Sequence, residues 1–153
     1  MKNNIRIILC LILFSIVLVH CKTKEKQPFG RNITLEGRKW MLMEINSVAV
    51  NVPVNAKTPY IEFNSGDNTF SAEGGCNMMN GMYTVQDKMI YIRNMASTKM
   101  ACEQLETETK FFQALESSNR FELQTVKKKE KGQEFLILFQ DETPVAKLES
   151  AKP

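Results

Sequence analysis

From Trp40 onward, short apolar stretches alternate with polar turn clusters, the pattern of short strands joined by tight turns. In Trp40–Ile45, strict alternation sets Trp40, Leu42 and Glu44 on one face and Met41, Met43 and Ile45 on the other. Apolar residues on both faces predict a strand covered on both sides. Ser47–Val54 is Val-rich and runs into Pro53, which predicts a short edge strand or a loop. Tyr60–Phe63 alternates and stops at Asn64-Ser65-Gly66-Asp67-Asn68, a turn cluster, with Thr69–Ala72 as the return strand. Gly81–Val85 and Lys88–Arg93 form a second hairpin pattern around Gln86-Asp87, with the turn type left open. Near the end, Arg120–Val126 alternates, Phe135–Phe139 is continuously apolar, and Val145–Leu148 closes the series.

One segment departs from this period. Glu103–Ser117 holds no Gly or Pro, and places Leu105, Phe112 and Leu115 on one stripe with Phe111 at its edge. Glu103, Glu106 and Glu108 crowd its first half, which suits the positive end of a helix dipole. Glu106 and Lys110 stand four apart in the favoured orientation, and Ser117-Ser118-Asn119 ends the helix. The expected fold is α+β and mainly β. Seven to eight strands form a curved antiparallel sheet or partial barrel, lipocalin-like in outline, with one helix packed against it.

The first residues follow another rule. Lys2 and Arg6 precede Ile7–Val19, a run whose only polar member is Ser15, and Cys21 follows His20. The run suits a secretory leader and is short for a membrane-spanning helix. The abrupt switch to Lys22-Thr23-Lys24-Glu25 resembles a bacterial lipoprotein signal, in which the Cys after the apolar run is lipidated. His20 stands where that pattern has a small residue. Residues 1–21 are therefore expected as a lipoprotein-type signal peptide, 22–37 as a tether and 38–149 as the domain. Cys21 would anchor the chain in the membrane of a bacterial envelope. Lys22 after it favours the outer membrane, by analogy with lipoprotein sorting. Asn32-Ile33-Thr34 matches a glycosylation acceptor, a chance match behind such a leader.

Composition then narrows the chemistry. The net charge is +3, from 20 basic and 17 acidic residues. Lys2 and Arg6 belong to the leader, so 18 basic residues face 17 acidic ones in the remainder. The single His is His20. A nearly neutral, histidine-free domain has no clustered basic face for nucleic acid. It also has no His for a catalytic triad, a Cys–His dyad or a His-ligated zinc. Ser97 beside Thr98-Lys99 forms no usable Ser–Lys dyad, and the scattered carboxylates form no recognisable acid–base pair.

The densest signal lies between Phe70 and Leu115. It comprises Gly75-Cys76-Asn77, then Gly81-x-Tyr83, then Thr98-x-Met100-Ala101-Cys102 just before the helix. This order resembles the META domain, also called HslJ-like. Trp40-Met41-Leu42, Pro59–Phe63 and the apolar strand near the end match as well, so the resemblance spans about Leu35 to Leu148. It implies a small exported β-rich domain, lipocalin-like in outline, often lipid-anchored and linked to envelope stress. It brings no catalytic residues and no cofactor. The motif reads as structural. Gly74 and Gly75 permit backbone angles a side chain forbids, Asn77 bonds local backbone, Gly81 opens the next strand, and Tyr83 is a core ring with a bonded hydroxyl.

Cys76 and Cys102 remain as an even pair in an exported domain, which favours a disulfide; two buried thiols are the alternative. A bond between them would stabilise by roughly 3.5 kcal/mol on the entropic account. Met78, Met79, Met82, Met89, Met95 and Met100 crowd the same region. They read as core filling, with a Cu(I) site or a pliable partner surface as alternatives. The lysine-rich run Lys127–Lys131 reads as a solvated turn. The expected function is a non-enzymatic, monomeric envelope lipoprotein acting through protein or surface contacts in stress tolerance. The alternatives are a module for a small apolar ligand or lipid, suggested by Trp40–Ile45 and Phe135–Phe139, and a soft-metal or redox module on Cys76, Cys102 and the methionines. No resident metal is expected.

Overall fold

Every apolar stretch between turn clusters forms a strand, and the strands are longer than their apolar cores. The computed structural model describes residues 33–151, apart from 129 and 130. The expected signal peptide, Cys21 and residues 22–32 of the tether lie outside the described residues. The order is β1 (Lys39–Ile45), β2 (Val48–Ala49), β3 (Tyr60–Asn64), β4 (Thr69–Glu73), β5 (Met78–Gln86), β6 (Met89–Ser97), α1 (Leu105–Ser117), β7 (Arg120–Lys128), β8 (Lys131–Gln140) and β9 (Thr143–Ser150).

All pairings are antiparallel, and β9 returns to pair with β1, so the curved sheet closes into a ring. Among the described residues the strand count is nine rather than seven or eight, because Val48–Ala49 pairs with Glu44–Ile45 as a minimal hairpin. Asn46 and Ser47 make that turn in the left-handed region, at φ 49° and 63°. Asp87 does the same at φ 54° between β5 and β6, which supplies the turn for which the sequence offers no Gly.

The expected two-sided burial of β1 does not hold. Trp40 and Leu42 point inward, and Met43 is 42% exposed. A bulge between Leu42 and Glu44 inserts Met43 against β9 and reverses the phase, so Ile45 joins the inner face opposite Ala146. The ring interior is filled by Trp40, Ile61, Phe63, Phe70, Leu136, Leu138 and Leu148, all nearly inaccessible. Each such side chain contributes about 1.5–3 kcal/mol by leaving water. Trp40 Nε1 donates to the Leu35 carbonyl at 2.8 Å, which satisfies its polar edge inside the core.

The helix packs against β1, β6, β8 and β9. Its buried face differs from the apolar stripe. Phe111 and Leu115 are fully buried, Leu105 is 47% exposed, and Glu108 is buried in place of an apolar residue.

Candidate functional site

Three pieces of chain meet at the start of α1: the loop Gly74–Asn77 that leads into β5, the segment Thr98–Cys102 after β6, and the first turns of the helix itself. The Cys76–Cys102 disulfide joins the first two across a Cα–Cα distance of 6.3 Å. Asn77, 1% exposed, engages every polar atom it has. Its side-chain oxygen accepts from the Thr98 hydroxyl and the Met100 N–H, both at 2.7 Å. Its side-chain amide donates to the Met100 carbonyl at 3.1 Å and to Glu108 Oε1 at 2.6 Å. Its backbone N–H donates to Glu108 Oε2 at 2.6 Å, and its carbonyl accepts from Gly74 N–H at 3.0 Å. A carboxylate that accepts two hydrogen bonds from one residue can stay buried without a cation beside it.

Thr98 completes the splice. Its N–H donates to the Met78 carbonyl at 3.1 Å, and the Met78 N–H donates to its hydroxyl at 3.2 Å. Gly75 sits at φ 110°, with the Gln104 side chain so close that a Cβ would collide with it. Gly75, Cys76, Asn77, Thr98, Met100 and Cys102 thus converge on one cluster.

Gly81 and Tyr83 lie elsewhere, further along β5. Gly81 does not open the strand; it stands mid-strand, paired with Phe70. A Cβ there would meet the Phe70 ring at 2.6 Å and the Arg93 carbonyl at 2.9 Å. The residue is absent of side chain because a buried aromatic ring rests over it. Tyr83 is a core ring, as its setting predicts. It meets Phe63 edge to face at 4.9 Å, and its hydroxyl donates to Glu36 Oε1 at 3.1 Å. Burial, with the Glu36 carboxylate beside it, pushes the Tyr83 hydroxyl up to about 12.

The methionines do not share a site. Met79 is in the core and Met95 is half-buried against it, whereas Met78, Met82 and Met89 are exposed on β5 and β6. With both sulfurs of the cysteine pair bonded to each other, neither Cys76 nor Cys102 offers a thiolate to a soft metal in this state.

Beside the cluster, α1 and the segment Ser97–Ala101 form the walls of a groove of about 710 Å³. Asn77 and Glu108 line it together with Met100, Ala101, Leu105 and Phe112. Met100 and Leu105 are 59% and 47% exposed, a large apolar area for a surface. Thr109, Gln113, Glu116 and Lys99 add polar groups to it. Sequence reasoning missed Glu108 and this groove. The signal for Glu108 was present: it is three and seven residues ahead of the buried Phe111 and Leu115, hence on their face.

The sequence profile of the META domain matches residues 33–152. The chain belongs to the META domain family. Two solved structures share the META fold seen here. An NMR structure of a protein from Burkholderia xenovorans is 19% identical, with a TM-score of 0.57 over 84% of this chain and 99% of its own. A second NMR structure is 17% identical, with a TM-score of 0.50 over 74% of this chain and 90% of its own. At such identities the likeness concerns the fold. No curated protein matches the chain. In this META domain, the motif residues at the start of α1 build a hydrogen-bonded, disulfide-linked junction.

Proposed function

We propose that this META domain is a non-enzymatic binding module, held on the bacterial envelope by a lipid on Cys21. In this reading it takes an apolar group of a protein partner into the α1 groove. The observation that carries the reading is the placement of the groove. Its floor is the disulfide-stapled cluster, so its walls are held in one geometry before any partner arrives. The polar side chains of that floor are engaged with each other, which leaves the exposed apolar wall as the available chemistry.

The leader, the abrupt switch at Cys21 and the Lys22 that follows support an outer-membrane lipoprotein. The histidine-free composition after His20 supports the non-enzymatic part. A role in stress tolerance accords with the family.

A second reading replaces the protein partner by a small apolar ligand or lipid. The groove volume favours it, since small-molecule sites span roughly 300–1,000 Å³. The site in this reading is again the α1 groove. Trp40, Leu42, Leu136 and Leu138, from the stretches that suggested a ligand inside the sheet, are core residues.

The test pairs two changes in the full chain. Cys21→Ala should release the protein from the membrane fraction; unchanged retention and size would count against lipidation. Met100→Glu with Leu105→Glu places charge in the groove at exposed positions and should leave thermal stability intact. It should abolish binding of an apolar dye and cross-linking to neighbouring envelope proteins. Wild-type binding by that double variant would overturn the groove reading. A ligand seen by native mass spectrometry, with no cross-linked protein, would select the second reading.

A further inference from the structure

Among the described residues, β7 carries a free edge. All nine of its residues pair with β8, from Arg120↔Phe139 to Lys128↔Lys131. By the described residues its other edge is engaged only at the start, where Met89 stands opposite Arg120 and the Phe121 N–H donates to the Lys88 carbonyl at 2.9 Å. Successive residues of a strand turn their backbone groups to opposite edges. The N–H and C=O of Leu123 and Thr125 therefore face the same side as the Phe121 N–H.

β6 does not reach them. The two strands are antiparallel and meet at their first residues, so β6 runs away from this part of β7. The β5–β6 turn at Asp87-Lys88 is the last chain alongside. A hollow of about 310 Å³ lies there, lined by Asp87, Lys88, Phe121, Glu122 and Leu123. Phe121 and Leu123 pack on the core yet are only partly buried.

Extended main-chain donors and acceptors are matched by another extended main chain. We infer that the β7 edge from Leu123 to Val126 is a strand-addition site for an extended acidic segment of another polypeptide, with apolar side chains at alternate positions. The apolar positions would complete the cover over Phe121 and Leu123. The acidic character follows from the charges at the two ends of the edge. Lys88 stands at one end, and β7 closes on Lys127 and Lys128 at the other. Of the nearby acids, Glu122 is neutralised by Arg120 at 2.7 Å, while Asp87 opposes the pattern. A second copy of this chain fits poorly. An antiparallel pairing centred on Thr125 would set each lysine-rich end beside the partner's Lys88, with like charges adjacent. The site is separate from the α1 groove and does not rest on it.

The test uses the full chain in detergent and a synthetic heptapeptide alternating valine and glutamate. Binding should shift the Leu123 and Thr125 amide resonances, slow their hydrogen exchange, and weaken as salt is raised. N-methylation of alternate peptide amides should lower affinity about tenfold or more, because main-chain hydrogen bonds carry the contact. Thr125→Pro removes only an outward N–H and should weaken binding to a similar degree. If that variant fails to fold, the methylated peptide decides alone. Equal affinity for methylated and unmethylated peptides overturns the inference, as does absence of binding at about millimolar peptide. Protection of Leu123 and Thr125 in a peptide-free, concentration-dependent dimer would assign the edge to a second copy instead, and would also overturn it.

Discussion

The carboxylate of Glu108 holds two donors of a single residue, the backbone N–H and the side-chain amide of Asn77, each at 2.6 Å. This bond pair fixes the angle at which α1 leaves the Thr98–Cys102 segment. Through Asn77 it also fixes the register between the start of β5 and the end of β6. The first prediction concerns its cost when broken. Asn77→Leu keeps the backbone N–H but removes the side-chain amide, so Glu108 Oε1 loses its donor and the Thr98 hydroxyl and Met100 N–H lose their acceptor; it should cost about 3–5 kcal/mol. Glu108→Gln keeps the shape but turns an amide N–H₂ toward one Asn77 donor, and should cost about 1–3 kcal/mol. Denaturant unfolding measures both. An unchanged midpoint for Asn77→Leu would show that the cluster does not hold the fold.

Gly81 and Phe70 make a cross-strand pair in which one side chain uses the space the other lacks. Gly81→Ala should destabilise by about 1–3 kcal/mol, since both the ring and the Arg93 carbonyl must move. Phe70→Leu in the same chain should relieve part of that loss. The double-mutant cycle should therefore give a coupling of about 0.5–3 kcal/mol, and additive losses would refute the contact.

Removing the disulfide by Cys76→Ser with Cys102→Ser should lower stability by about 2–4 kcal/mol. The Asn77 network also joins the two segments, so the fold and the near-ultraviolet signal of Trp40 should survive. A variant that loses both would place the whole burden of the junction on the bond.

Tyr83 predicts a pH dependence with a definite sign. Its hydroxyl lies at about 12 in the folded chain, above the ordinary 10.0. A group raised on folding stabilises fully below its unfolded value, and that contribution fades as pH rises through the folded one. The difference in stability between wild type and Tyr83→Phe should be constant below pH 9 or so. It should then change between about pH 10 and 12, as wild type loses the Tyr83 contribution. Absorbance at alkaline pH should show one tyrosine titrating late, and the variant should lack that late step. A difference independent of pH would contradict the burial of the hydroxyl.

Much of the local structure was legible. Tyr60–Phe63 and Thr69–Ala72 have the alternation and the turn cluster of a hairpin, and they form one. Cys76 and Cys102 pair as an even count predicts. The helix starts two residues later than its pattern suggests and ends at Ser117 as expected. Elsewhere the periodic pattern misled. Strict alternation on β1 assigned Ile45 to the wrong face, because a bulge depends on the partner strand and leaves no mark in the strand itself. On α1, a reading by apolarity placed Leu105 inside and overlooked Glu108, because the buried acid takes its value from Asn77, 31 residues away.

The sequence by itself determined the family, the β-rich class and the helix ending at Ser117, and it favoured the cysteine staple. All of these follow from local period, turn chemistry and a motif readable along the chain. Only the tertiary structure decided that β9 closes on β1, that Glu108 is the keystone of the motif cluster, that an apolar groove opens beside it, and that β7 keeps one edge free among the described residues. Each of these depends on which distant segments meet, and hydrogen-bonding partners between strands are set by the closure of the whole ring rather than by any one stretch of residues.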